Sequence, residues 1–185
     1  MQKMMVKFMS EIMTHSHIMF DPLHPIAELI DIADIAHSLS MLCRANGHFK
    51  SFYSVGQHCI NCAVEAKARG YSKFVQLACL LHDGSEAYLS DVTRPVKAEL
   101  PRYLEIEEPL QNCIWGKFLG RPLSPTEYDQ VFEIDDAILA HEFINLMGVA
   151  IIDPTPQIFS QPQYAFTGFE QCQQEYLTLF RELTE

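Results

Sequence analysis

Ser72-Lys73-Phe74-Val75-Gln76-Leu77-Ala78-Cys79-Leu80-Leu81-His82-Asp83-Gly84 is the stretch that decides the architecture of this chain. Ser72 is a helix N-cap by type. Phe74, Val75, Leu77, Ala78, Leu80 and Leu81 then make the following turns apolar nearly all round, as a helix at the centre of a domain requires. The run ends on a histidine, an aspartate and a glycine. An imidazole nitrogen and a carboxylate oxygen both suit divalent ions such as Mn²⁺, Fe²⁺, Co²⁺ or Zn²⁺. Neighbours on a helix point about 100° apart, so His82 and Asp83 can share an ion only where the helix bends or ends. Further ligands must come from other elements.

Outward from this helix the same period recurs. Ile32, Ile35, Ala36, Leu39, Leu42 and Cys43 repeat at three and four until Asn46-Gly47 supplies a stop. Ser54 caps a helix through Val55, Cys59, Cys62, Ala63 and Ala66 that ends at Gly70. After a loop at Asp91-Val92-Thr93-Arg94-Pro95, with Thr93 a cap by type, a short helix reaches Leu100 and Pro101 breaks it. Residues 103–119 form a long pattern with Pro109 as a kink or break. Ser124-Pro125 opens a further helix, with Glu127 in its first turn, that runs to Gly148. The proline-bearing segment 149–166 reads as loop, and a last helix occupies roughly 167–183. No long stretch alternates with period two. The expectation is an all-α, single-domain bundle of about six or seven helices over residues 31–185, preceded by an extended lead-in over residues 1–30.

Length and composition agree with one domain. The chain has 185 residues, 48% hydrophobic and 20% charged, which suits one globular core. With 24 acidic against 13 basic side chains the formal net charge is −11, so a nucleic acid polymer would meet net repulsion. A small phosphate ester is still compatible, because an ion and one or two arginines reverse the potential inside a pocket. The cysteines at 43, 59, 62, 79, 113 and 172 fall mostly inside helical patterns and read as reduced, cytoplasmic thiols. Cys59 and Cys62 have C-x-x-C spacing, but no second pair follows, so they read as buried small side chains. The Met-rich start lacks the apolar run and cleavage site of a signal peptide, and no stretch is long enough to span a membrane. A homodimer is compatible with a helical domain of this size, the Met-rich start offering apolar contact area.

Antiparallel packing would bring together His58 on the second helix, His82 and Asp83 ending the third, and Asp135 or Asp136 on the fifth. His58 lies one turn into its helix and shares a face with Cys62; a buried histidine bonded to backbone is the structural alternative. Asp135 and Asp136 sit within Phe132-Glu133-Ile134-Asp135-Asp136-Ala137-Ile138-Leu139. Carboxylates in such a setting are usually paired or bound to an ion, because burying a lone charge is prohibitive.

The series His58, His82-Asp83 and Asp135 resembles the H…HD…D signature of the HD-domain metal-dependent phosphohydrolases. Asp34-Ile35-Ala36-His37-Ser38-Leu39-Ser40, Cys43-Arg44-Ala45-Asn46-Gly47-His48, Phe52-Tyr53-Ser54-Val55-Gly56-Gln57-His58 and Leu81 through Lys97 narrow the likeness to the stand-alone bacterial 5′-deoxynucleotidase-like branch. It covers about Ile30 to Leu146 and, more weakly, the stretch from there to the C-terminus.

The resemblance implies one divalent ion (Mn, Co, Fe, Mg or Zn) held by His58, His82, Asp83 and Asp135. Asp135 is preferred because a glutamate, Glu142, follows it by seven residues as in the family; Asp136 is the fallback. It further implies that Glu86 orients or deprotonates a water and that Arg44 grips the phosphate through its planar fork. Asp91 would contact the sugar or assist the leaving group, and Thr93, Arg94 and Lys97 would border the pocket. His37, His48 and His141 read as core or outer hydrogen-bonding residues; His15, His17 and His24 read as surface. One departure stands out. The branch often has an aromatic residue after the phosphate arginine, and here it is Ala45. The function expected is hydrolysis of a small nucleotide, a (deoxy)nucleoside 5′-monophosphate, to nucleoside and phosphate. The alternatives are a non-catalytic nucleotide- or metal-binding module and a hydrolase of a cyclic or oligophosphate nucleotide.

Overall fold

The computed structural model describes residues 10–185. The Met-rich stretch ahead of Ser10, read above for a missing signal peptide and for dimer contacts, lies outside the described residues.

The described chain is an all-α bundle, as its periodicity predicts. Its helices are α1 (Ile32–Met41), α2 (Val55–Ala68), α3 (Lys73–Leu81), α4 (Glu86–Leu89), α5 (Arg94–Lys97), α6 (Pro101–Leu119), α7 (Pro125–Met147) and α8 (Phe169–Thr184). Six of them have nine or more residues, and α4 and α5 are single turns. Among the described residues the only sheet is a hairpin of β1 (Ile12–Met13) and β2 (Met19–Phe20). No described helix is long and apolar enough to cross a membrane.

The helix starts follow from their caps. Asp31 Oδ1 accepts from Ala33 N, and Ser72 Oγ accepts from Val75 N. Ser54 with Gln57, and Ser124 with Glu127, close reciprocal capping boxes in which each side chain accepts from the other's backbone N–H. Each such cap stabilises its helix by about 1 kcal/mol.

Two features depart from the local pattern. The first helix stops at Met41 rather than continuing to Cys43. Leu42 to Arg44 instead pair with Tyr53 to Val55: Val55 N donates to Leu42 O, Arg44 N donates to Tyr53 O, and Cys43 and Ser54 form an antiparallel bridge. Ala45, Asn46 and Gly47 all have positive φ, so the turn reverses the chain there. Pro109 neither ends nor divides α6, which is assigned continuously through it.

The centre is shared by two helices. α3 packs on α2, α6, α7 and α8, and α2 packs on α1, α3, α7 and α8. Leu39, Val55, Cys59, Leu77, Leu80, Leu81, Leu110, Ile114 and Tyr176 form the main core, with Phe20 of the lead-in also fully buried in it. A second cluster, Cys62, Ala66, Val75, Ala78, Ile134 and Ile138, joins α2, α3 and α7. Fully burying such side chains contributes about 1.5–3 kcal/mol each. Gly56 lets α1 and α2 approach closely: a Cβ there would stand 3.2 Å from the backbone of Leu39 and Ser40.

The polar face of α2 is covered as well. Gln57, Asn61 and Glu65, one helical turn apart, capture the segment that follows α7. Gln57 Nε2 donates to Ala165 O; Asn61 donates to Gln163 O and accepts from Gln163 N. Glu65 accepts from Phe159 N, Ser160 N and Ser160 Oγ. The loop 149–166 is therefore a strap, fastened through its backbone to side chains of α2.

Candidate metal centre

The end of α3 sets the geometry of the site. The last four carbonyls of a helix lack helical partners and must be satisfied otherwise. Trp115 Nε1 donates to Ala78 O at 3.4 Å, His82 Nδ1 to Cys79 O at 2.7 Å, Tyr176 Oη to Leu80 O at 2.6 Å, and Gln111 Nε2 to Leu81 O at 2.8 Å. Gln111 also accepts from Ser85 N at 3.0 Å. α6 and α8 thus hold the terminus at which His82 and Asp83 diverge. That termination answers the 100° problem posed by two adjacent ligands.

The rings of His58 and His82 are locked in one orientation. His82 Nδ1 faces a carbonyl, which only accepts, so Nδ1 carries the proton and Nε2 presents a lone pair when the ring is neutral. His58 Nδ1 lies 2.6 Å from Glu142 Oε1 and donates to it, which again turns Nε2 inward. Glu142 is fully buried, and its other oxygen accepts from Arg44 Nε at 2.9 Å. Burial pushes the Glu142 carboxyl up, but Arg44 and His58 outweigh it and hold it below the ordinary range.

Four inward atoms result. His58 Nε2 is 3.2 Å from His82 Nε2, 3.0 Å from Asp135 Oδ1 and 3.8 Å from Asp83 Oδ2. His82 Nε2 is 3.4 Å from Asp83 Oδ2 and 3.7 Å from Asp135 Oδ1. Ligand bonds of about 2.0–2.2 Å, set at tetrahedral or octahedral angles, place neighbouring donors about 2.9–3.5 Å apart. His58, His82 and Asp135, with Cys62, lie close enough to hold one ion, whereas Asp83 groups with His82 and Cys59. Asp135 Oδ1 is buried and has no hydrogen-bond partner. Two imidazole lone pairs and a carboxylate oxygen in contact need a cation or a shared proton between them. Consistent with that demand, burial pushes His82 down, yet Asp83 and Asp135 raise it well above its ordinary value. Asp135 is held well below the carboxylate range by His58 and His82 despite burial.

The two adjacent aspartates separate cleanly. Asp135 turns Oδ1 to the histidines while its Oδ2 accepts from Arg94 Nη2. Asp136 points outward, half exposed, and accepts from Arg94 Nη1. Arg94, read from sequence only as bordering the pocket, therefore clamps both.

The remaining candidates lie along one cavity of about 940 Å³ whose lining includes Arg44, Glu86, Asp91, Thr93 and Lys97. Arg44 projects from the left-handed turn after α1 rather than from a helix end. Its Nη1 is 3.4 Å from Asp83 Oδ2 and its Nη2 is 3.6 Å from Asp135 Oδ1, both longer than its bond to Glu142. Glu86, in the first turn of α4, is buried; Lys97 Nζ approaches its Oε1 at 3.5 Å and Glu107 Oε1 at 2.7 Å. Glu86 Oε2 has no partner, and burial with the nearby Asp83 and Asp91 pushes the carboxyl well up. Asp91 is raised by burial, with Arg44 opposing. Thr93 occupies the N-cap position of α5, but its side chain makes no capping bond.

Sequence reading missed three partners. Cys62 Sγ lies 3.5 Å from His58 Nε2, so His58, Cys62, His82 and Asp135 also form a compact group, as do Cys59, His82 and Asp83. The shared helical face of His58 and Cys62 was the available signal. Burial pushes the Cys59 thiol up to about 11 and the Cys62 thiol further. Glu142 served above only as a register mark. The other histidines stand apart: His37 stacks on His15 and meets Gln173, His141 meets Pro156 O, and His48 is exposed.

No protein-family model matches the chain. It is similar to the uncharacterized protein YfdR of Escherichia coli (strain K12), 37% identical over 120 residues that make up 64% of each chain. It is also similar to an uncharacterized protein of Rhodobacter capsulatus, 32% identical over 126 residues, which are 65% of this chain and 64% of the relative. The chain thus matches about 64% of the length of these curated relatives.

Proposed function

We propose that the protein is a metal-dependent phosphomonoesterase of the HD-domain type, hydrolysing a small nucleotide, a (deoxy)nucleoside 5′-monophosphate, to nucleoside and phosphate. The observation that carries this reading is the buried group of His58, His82 and Asp135, with Asp83 3.4 Å from His82 and Arg44 beside it, at the wall of a cavity large enough for a nucleotide. A divalent ion held by that group would supply Lewis acidity toward a phosphate oxygen and lower the pKa of water.

The chain's own residues perform the rest. Glu142 and the Cys79 carbonyl keep both imidazoles facing inward. Arg44 is anchored through Nε, which leaves its two Nη atoms as the loosely held end of a planar fork matched to two phosphate oxygens. Glu86, raised by burial and the like charge of Asp83 and Asp91, is a carboxyl placed to exchange a proton with water, and Lys97 balances its charge when ionised. Asp91 faces the same cavity and offers an acceptor to a sugar hydroxyl. Positioning and charge neutralisation are what in-line phosphoryl transfer demands.

The test is phosphate release from a panel of nucleoside monophosphates with Mn²⁺, Co²⁺ or Mg²⁺. Activity is expected to vanish with EDTA and in His82→Ala. Turnover that survives both overturns the reading.

A further inference from the structure

The cavity extends well past the phosphate-binding end. Its lining continues from Asp135 to Phe132, Tyr128 and Trp115. Tyr128, Phe132 and Asp135 are spaced four and three residues apart on α7 and so share a face. At 1.5 Å per residue, Phe132 stands about 4.5 Å and Tyr128 about 10.5 Å along the axis from the ligand carboxylate. A nucleoside monophosphate covers roughly one to two helical turns between phosphorus and base. The two rings lie 4.4 Å apart, and Trp115 meets Tyr128 edge-on at 6.3 Å.

Tyr128 and Phe132 are not core, whereas Trp115 behind them is. Tyr128 is 48% and Phe132 37% exposed, whereas their α7 neighbours Val131 and Ile134 are buried. Both line the cavity whose lining also includes the charged Arg44, Asp83 and Asp135. Glu107 and Glu108 line the same cavity, Glu107 paired with Lys97 at 2.7 Å, and the wall made by Tyr128 and Phe132 is itself uncharged. An uncharged planar group suits it. Exposed Asn112 brings an amide donor and acceptor to the rim, where the edge of such a group would lie.

We infer that Tyr128 and Phe132, backed by Trp115, form a stacking platform for the nucleobase, so that the site takes base-bearing monophosphates and discriminates against base-free sugar phosphates. The inference rests on the phosphomonoesterase reading for the placement of the phosphate. Stacking on an aromatic platform is commonly worth about 10- to 100-fold in affinity per base.

The experiment is calorimetric titration of the Mn²⁺-loaded full chain with a purine nucleoside 5′-phosphonate, which cannot be hydrolysed, and with ribose 5-phosphonate. The nucleoside analogue is expected to bind about 10- to 100-fold more tightly. Phe132→Leu combined with Tyr128→Leu, which keeps apolar volume but removes both π faces, is expected to bring the nucleoside analogue close to the sugar analogue. Trp115, the single tryptophan, gives a second readout: its fluorescence should respond to the nucleoside analogue and not to the sugar analogue. Equal affinity for the two analogues, binding of neither, or a ratio that the double variant leaves intact overturns the platform. The enzymatic reading fails separately. It falls if nucleoside monophosphates release no phosphate while the analogue still binds with the expected ratio.

Discussion

Glu142→Gln isolates how the candidate centre is held. The native carboxylate accepts from His58 Nδ1 at 2.6 Å through one oxygen and from Arg44 Nε at 2.9 Å through the other. Glutamine keeps the volume but offers one acceptor and one donor group, so it can serve either partner and not both. His58 is fully buried while Arg44 is 11% exposed, so the amide oxygen should stay with His58 and its NH₂ should oppose Arg44 Nε. Loss of one hydrogen bond to a charged group costs about 1.5–3 kcal/mol, which lowers Tm by about 3–12 °C for a chain of this size. Loss of an outer partner at a metal-ligating histidine costs roughly 10–100-fold in metal affinity. The assay is calorimetric titration of Mn²⁺ or Zn²⁺ into chelator-treated protein, with thermal unfolding on the same samples. Glu142→Ala is expected to be worse by folding criteria, since it removes the buried acceptor of both His58 and Arg44 and leaves Arg44 only its longer pairs to Asp83 and Asp135, a loss of about 3–5 kcal/mol. A Glu142→Gln protein that melts lower yet binds the metal with native affinity would refute the argument that this carboxylate orients the site.

The adjacent aspartates give a sharper contrast. Asp135→Asn should weaken metal binding by more than the roughly 10–100-fold expected of an outer partner, while Asp136→Asn, half exposed and paired only with Arg94, should stay within a few-fold of native. Equal losses in the two variants by the same titration would contradict the geometry. At the strap, burial raises Glu65 but the bonds from Arg69, Ser160 and Phe159 outweigh it, so its carboxyl is held below the ordinary 4.5. The unfolded chain therefore binds that proton more tightly; the stabilisation is complete above about pH 4.5 and fades as the pH falls through the lower folded value. Glu65→Gln should cost about 3 kcal/mol at neutral pH and flatten the acid limb of a denaturant-midpoint profile. A variant with the native acid limb would sink this account.

Much of the fold is written locally. Ser54, Ser72 and Ser124 stand where helices begin, with Gln57 and Glu127 completing two of the caps, and the apolar three-and-four spacing marks which faces turn inward. Those signals act within one or two turns and are readable residue by residue. The end of α1 was less legible because pairing of Leu42 to Arg44 with Tyr53 to Val55 competes with one more helical turn. The strap was illegible for a similar reason: Gln57, Asn61 and Glu65 look solvated by type and are buried only because a segment about a hundred residues later lies over them.

By itself, then, the sequence determined an all-α domain and nominated as ligands His58, His82, Asp83 and, through the family resemblance, Asp135 with Asp136 as fallback. Only the tertiary structure showed Asp135 turned inward and Asp136 outward under one Arg94 clamp, how Arg44 enters the cavity, that Glu142 and Cys79 O orient the imidazoles, and that Cys62 and an aromatic wall lie alongside. The division has a physical cause. Capping and periodicity depend on neighbours along the chain, whereas a site depends on side-chain directions contributed by α2, the end of α3 and α7, which only packing brings into register.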